Sequence, residues 1–148
     1  MAKEKKVVAS SADTVKLSRV ELETVMSLLN TPLHGSDART RNRFIELTGK
    51  EYHEIFPTRQ SILEEASDKD ENGKAKIENG MYAIPVDKQE ATQAKIKSFL
   101  EEKIAYALDK KTKPVFVGIR AILEKHAKPM SIGEGKIYDE LMTELESI

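Results

Sequence analysis

Residues 36–73, SDARTRNRFIELTGKEYHEIFPTRQSILEEASDKDENG, hold a helix-start signal, a long apolar stripe, three alternating arginines and an acidic turn. Set on a helix at about 100° per residue from Arg39, Leu47 falls near about 80°, Phe44 near 140°, Ile55 near 160°, Tyr52 near 220° and Phe56 near 260°. Ile62, Ala66 and Leu63 follow at about 140°, 180° and 240°, so one apolar arc runs past Pro57. Two unrelated helices would have no reason to keep that phase. Pro57 maps to about 0°, opposite the stripe, where a kink bends a helix toward its apolar side. The stretch therefore predicts one kinked helix from about Ala38 to Ser67, capped by Ser36 or Asp37. The alternative is a break at Gly49 or Pro57, each of which lowers helix propensity.

The same wheel sorts the basic residues. Arg39, Arg43 and Lys50 lie within about 40° of one another on the solvent side, as a candidate partner-binding face near a helix N-terminus. Arg41 maps to about 200°, inside the apolar arc. It is expected to be structural, with its stem along the core edge and its guanidinium on an acid or exposed carbonyls.

Composition narrows the class. A chain of 148 residues is large enough to bury a core without covalent staples. A third of the residues are charged yet the net charge is −1, so no global field selects nucleic acid or membrane. The absence of cysteine removes disulfides, a thiol nucleophile and thiolate metal sites. No apolar run approaches the length of a membrane span or of a secretory signal, which points to a soluble protein of the cytoplasm. The domain plan is a mobile basic tail over 1–13, MAKEKKVVASSAD, followed by a single compact domain over 14–148.

Along that domain, Val15 and Leu17 alternate with polar neighbours, as in a short edge strand. Ser18 and Glu21 form a capping box for a helix to about Asn30, carrying Val20, Leu22, Val25, Met26, Leu28 and Leu29. Pro32 and Gly35 mark a turn into the long helix, giving a helical hairpin. DKDENG, from Asp68, resembles the start of a calcium loop, but its twelfth position is Asn79 and Glu78 sits one residue early, so a helix-terminating acidic turn is preferred. Asn79-Gly80 is the favoured centre of a type I′ turn, predicting a hairpin with Ile77 before it and Met81, Tyr82, Ile84 and Val86 after it. Pro85 ends or edges that strand. Asp87 and Glu90 have capping-box spacing ahead of a helix with Ile96, Phe99 and Leu100. Over 103–108, Ile104 and Leu108 keep helical spacing while Ile104, Tyr106 and Leu108 alternate. Helix and strand both stay open, with preference for a strand that completes the hairpin's sheet. Pro114 starts a helix with Val115, Ile119, Ile122 and Leu123, and Ser131 with Glu134 caps a last one with Ile137, Leu141, Leu145 and Ile148. The class is thus α+β, mostly helical: a helical hairpin with a long kinked helix, a small antiparallel β-hairpin or three-stranded sheet, and C-terminal helices.

Three motifs recur in a fixed order: Ser36, Arg39, Arg41 and Phe44 at the helix start; Asp70, Glu71, Asn72 and Gly73 at the acidic turn before a short β segment; and Gly133, Tyr138, Asp139 and Leu141 near the end. In this order the chain resembles a family of small proteins encoded by tailed phages and prophages of Gram-positive bacteria, over about Val15 to Glu146. That family has no assigned biochemical activity. Its genes often lie near virion tail and lysis genes, which implies an assembly or accessory role in the host cytoplasm or in the virion. Tyr138 and Asp139, from the last motif, are expected to be structural. The tail before Val15 and the KKTK segment at 110–113 depart from the pattern.

His34, His53 and His126 sit in distant segments without the helical spacing of a metal protease. Glu54 adjoins His53, but neighbouring residues point apart on a helix. There is no Gly-rich phosphate loop and no G-x-S-x-G elbow. The expectation is no enzyme, no cofactor and no metal, with a viral or host protein as partner and self-association as one form of contact. The alternative is a regulator that binds nucleic acid through Arg39, Arg43 and Lys50. Because residues 1–12 carry no apolar stripe, deleting them is expected to leave helical content and melting temperature unchanged by circular dichroism. Loss of cooperative unfolding would show that the segment packs.

Overall fold

A strand with apolar residues at alternate positions needs a partner whose apolar residues meet them on the same face. In the computed structural model, which describes residues 13–126 and 128–148, Thr14–Ser18 (β1) finds that partner in Lys103–Ala107 (β4). The pairing is antiparallel, with Val15 opposite Tyr106 and Leu17 opposite Ile104. Val15 and Leu17 are fully buried, Ile104 and Tyr106 half-buried, and the intervening residues largely exposed. One face of the ribbon is therefore apolar, and helices cover it. The strand at 103–107 is real, but it pairs with the chain's first strand instead of completing the hairpin's sheet, so two two-stranded sheets replace one of three strands. Pairing with β1 lets two half-apolar strands share one core.

The remaining elements are α1 (Arg19–Leu29), α2 (Gly35–His53), α3 (Ile55–Ala66), β2 (Ile77–Glu78), β3 (Met81–Tyr82), α4 (Val86–Glu101), α5 (Lys113–Lys125) and α6 (Ile132–Glu146). The expected single domain over 14–148 resolves into two compact units. One takes the chain up to Tyr52 together with Lys103–Ile148; the other is His53–Glu102. The tail expected over 1–13 lies outside the described residues except Asp13, whose carbonyl accepts the Leu108 amide at 2.8 Å and extends the β1–β4 ladder.

In the first unit α1 packs on α5 and α6, and α6 lies on β1. Its core joins Val15 and Leu17, α1's Leu22, Val25 and Leu29, Phe44 from α2, α5's Phe116, Ile119, Ile122 and Leu123, and Leu141 and Leu145 from α6. Phe44 and Phe116 meet edge to face with centroids 5.9 Å apart, the geometry the ring quadrupoles favour. The capping boxes at Ser18–Glu21 and Ser131–Glu134 both form. Glu134 accepts the Ser131 amide, which holds its pKa below the usual glutamate value.

The long helix is present with a kink, but its ends and its break differ from expectation. It starts at Gly35, where the Ala38 amide donates to the His34 carbonyl at 2.8 Å, so Ser36 and Asp37 lie in the first turn and cap nothing. Gly49 stays helical, and the interruption falls at Glu54. Pro57 explains it: proline has no N–H for the carbonyl four residues earlier, that of His53, and its ring crowds that carbonyl. Glu54 itself keeps helical dihedrals and accepts the Thr58 amide, so the helical course resumes at once.

In the second unit α3 packs on α4, where Ile62, Ile96 and Thr92 are buried. Asn79 and Gly80 both have positive φ, 52° and 78°, as a type I′ turn requires. The expected Asp87–Glu90 capping box does not form; α4 begins at Val86 behind Pro85, whose carbonyl accepts the Lys88 amide. Starting two residues early places Asp87 in the first turn, where it complements the helix dipole without capping.

Helices α2 and α5 approach closely at one glycine. A Cβ on Gly118 would stand 2.8 Å from Thr40 Cγ2, and Thr40 is held by its hydroxyl bond to the Ser36 carbonyl at 3.1 Å. Overpacking costs about 1–3 kcal/mol and outweighs the helix propensity gained, so Gly118→Ala is expected to lower the urea midpoint. Adding Thr40→Ser, which removes the methyl and keeps the hydroxyl, should restore it. A single Gly118→Ala variant more stable than wild type would contradict this packing.

Candidate functional site

The described residues place the six singled-out side chains in three different settings. Arg39 and Arg43, one turn apart and both exposed, line a shallow cleft of about 580 Å³ with Gly35, Ser36 and Thr40 at the start of α2. A helix N-terminus carries partial positive charge, and the two guanidiniums add to it. The nearest acid in sequence, Asp37, is held by Lys125 of α5 at 3.0 Å, which offsets its charge. Lys50 is exposed on the same helix but lies seven residues beyond Arg43, roughly 10 Å along the axis. The cleft thus brings together two of the three basic residues and leaves the third apart.

Arg41 faces the other way. Its Nη1 donates to the carbonyls of Leu29 at 2.8 Å and Thr31 at 2.7 Å, where α1 ends. The last carbonyls of a helix have no partner within it. A guanidinium from α2 supplies one and ties the two helices of the hairpin together. Tyr138, half-buried on α6, donates its hydroxyl to the Leu123 carbonyl at 3.3 Å, pinning α6 to the end of α5. Burial, reinforced by the carboxylates of Glu124 and Glu146, raises its pKa above the ordinary tyrosine value. Asp139 is exposed; its main-chain carbonyl accepts the Thr143 hydroxyl.

The acidic turn is built around its own backbone. Asp70 Oδ1 accepts the amides of Asn72 at 2.8 Å and Lys74 at 3.0 Å, while Gly73 takes φ of 78°. The aspartate is the pivot of an Asx-type turn. Among the described residues no three His, Asp or Glu side chains gather closely enough to hold a metal ion; His34 precedes α2, His53 ends it and His126 follows α5.

Sequence reasoning missed two features. Glu21, recognised only as a capping residue, is 1% exposed and takes a third donor on Oε1, Lys103 Nζ at 2.8 Å, in addition to the Ser18 amide and hydroxyl. Its signal is an acid on the inner side of a short amphipathic helix. The second is exposed apolar surface. Phe56, read on the apolar arc, is 72% exposed, and Ile77, Met81 and Val86 are more than half exposed. Phe56 stands at the outer edge of the arc, near about 260°, whereas Ile55 and Ile62, near its middle, are buried.

The chain matches no family model, no curated protein and no solved structure. No helix among the described residues is long and apolar enough to cross a membrane.

Removing the guanidinium of Arg41 takes a donor from two carbonyls at a part-buried helix end, of which that of Leu29 keeps the Thr31 amide at 2.9 Å. Arg41→Ala is expected to cost about 1–3 kcal/mol in denaturant unfolding. Arg39→Ala and Arg43→Ala should unfold like wild type, as exposed changes usually do. A stability-neutral Arg41→Ala would mean that water replaces the arginine at no cost.

Proposed function

We propose that this protein is a non-catalytic, phage-encoded accessory or structural protein that acts through contacts with a viral or host protein. Its place is the host cytoplasm, with the virion as an alternative destination. The phage origin rests on the resemblance carried by the motifs at Ser36–Phe44, Asp70–Gly73 and Gly133–Leu141. The observation that carries protein contact is the distribution of exposed apolar side chains. Of six large ones among the described residues, four (Phe56, Ile77, Met81 and Val86) fall within His53–Glu102, a unit whose buried apolar side chains are Ile55, Ile62 and Ile96. By the register of the hairpin, Ile77 pairs with Tyr82 and Met81 with Glu78, so the two exposed residues point to opposite faces of a two-stranded ribbon. A ribbon that exposes a large apolar side chain on each face gains by being covered. Arg39, Arg43 and Lys50 would add polar contacts.

The second reading, a regulator that binds nucleic acid, draws on the cleft where Arg39 and Arg43 meet the start of α2. Two experiments separate them. Lysate of a producing strain and the virions purified from it, cross-linked and analysed by mass spectrometry, should between them yield this chain joined to another protein through lysines of His53–Glu102. Ile77→Glu with Met81→Glu should remove the cross-links without changing the melting temperature. DNA binding should be negligible. A steep salt dependence of DNA binding, flattened by about two phosphate contacts in the Arg39→Ala/Arg43→Ala double variant, would overturn the proposal in favour of the regulator.

A further inference from the structure

A second cleft lies wholly within the first unit, between α1 and α2, and is independent of the surface just described. Its volume is about 500 Å³; Met26, Leu29, Ile45 and Tyr52 line it together with the polar Glu23, Ser27, Asn30 and Arg41. Ile45 is 37% exposed, one of the few large apolar side chains left open on the first unit.

The chemistry of Arg41 decides what this cleft can hold. Both bonds to carbonyls leave from Nη1, to Leu29 and Thr31. A guanidinium has five N–H donors, so about three remain, on Nε and Nη2. That pair forms one edge of the planar fork, the edge that grips a carboxylate with two parallel hydrogen bonds. Carbonyl partners orient the group but leave its charge in place, and among the described residues no carboxylate pairs with Arg41. The cation is thus fixed in direction, partly withdrawn from water, and set beside an apolar wall. Glu23, on the same cleft, is engaged by a partner of its own.

We propose that this cleft is a recognition site for a carboxylate carried on an apolar group. The carboxylate would lie on the Nε–Nη2 edge of Arg41 and the apolar body against Met26, Leu29 and Ile45. Two sources share that chemistry: the C-terminus of a peptide ending in an aliphatic residue, and a small aliphatic acid.

The test is a titration of isotope-labelled full-length protein, followed by NMR at the methyl groups of Met26 and Ile45. The probes are N-acetyl-Gly-Leu with a free carboxylate, its C-terminal amide, and hexanoate. Saturable shifts with at least one acid are expected, and the amide should bind at least about tenfold more weakly than the matching acid. Binding of the peptide acid alone assigns the site to chain termini; binding of hexanoate alone assigns it to small acids. Arg41→Gln should lose binding but also weakens the end of α1, so the decisive variant is Ile45→Glu. It alters a partly exposed position and places a carboxylate four residues from Arg41, within reach on the same helix face. It is expected to retain the wild-type melting temperature and abolish saturation. Absence of saturable shifts with both acids, equal affinity for peptide acid and amide, or undiminished binding by Ile45→Glu would each overturn the proposal.

Discussion

Five backbone pairs, from Thr14 opposite Ala107 to Ser18 opposite Lys103, join two ends of a long excursion of the chain. Closing so large a loop is entropically unfavourable, and a two-stranded ribbon alone is marginal in water. The ribbon persists because its register sets Val15 and Leu17 beside Tyr106 and Ile104, over a helical core. A slip of one residue would turn Val15 and Leu17 to solvent and bring Lys16 inward. Polar contacts at the margins reinforce the same register. Lys103 reaches Glu21 beside the Ser18 cap, and Glu144 of α6 accepts the Lys16 amide on the ribbon's open edge at 2.7 Å. The second contact also occupies an edge donor that could recruit a foreign strand.

This dependence explains why local structure was legible and the architecture less so. Capping at Ser18 and Ser131, the I′ turn at Asn79-Gly80 and the proline start of α5 are decided within a few residues, and each stands where the sequence places it. The partner of Lys103–Ala107 is decided by which distant strand offers a matching apolar face, and no local pattern carries that information. The apolar arc held for Phe44, Ile55 and Ile62, which are buried, but failed at Phe56. The arc's middle is buried on both sides of Glu54, and only its edge, where Phe56 lies, is left in solvent.

Candidate-site residues were legible to the extent that a helical wheel applies. It separated Arg41 from Arg39 and Arg43 correctly, because all three lie on uninterrupted α2. It could not show that Lys50 lies beyond the cleft, since a wheel discards distance along the axis. Nor could it identify the carbonyls of Leu29 and Thr31 as partners for Arg41, because those depend on how α1 and α2 pack. Asp139, expected to be structural, is exposed, and its main-chain carbonyl accepts the Thr143 hydroxyl.

Three arginines at alternate positions of one helix therefore have two kinds of chemistry. Successive members of such a series are about 200° apart, so the first and third share a face and the middle one opposes them. Arg39 and Arg43 stand in water, where a unit charge about 4 Å away contributes about 1 kcal/mol and salt weakens it further. Arg41 is part-buried at a helix junction, where the effective dielectric falls toward about 20 and the same Coulomb attraction approaches about 4 kcal/mol before desolvation is subtracted. The exposed pair can therefore steer a charged partner but holds it weakly. The inner arginine joins α1 to α2 through two carbonyls and keeps an unneutralised charge at a cleft with an apolar wall. Structural support and ligand selectivity can meet in that side chain because carbonyls satisfy its donors without cancelling its charge.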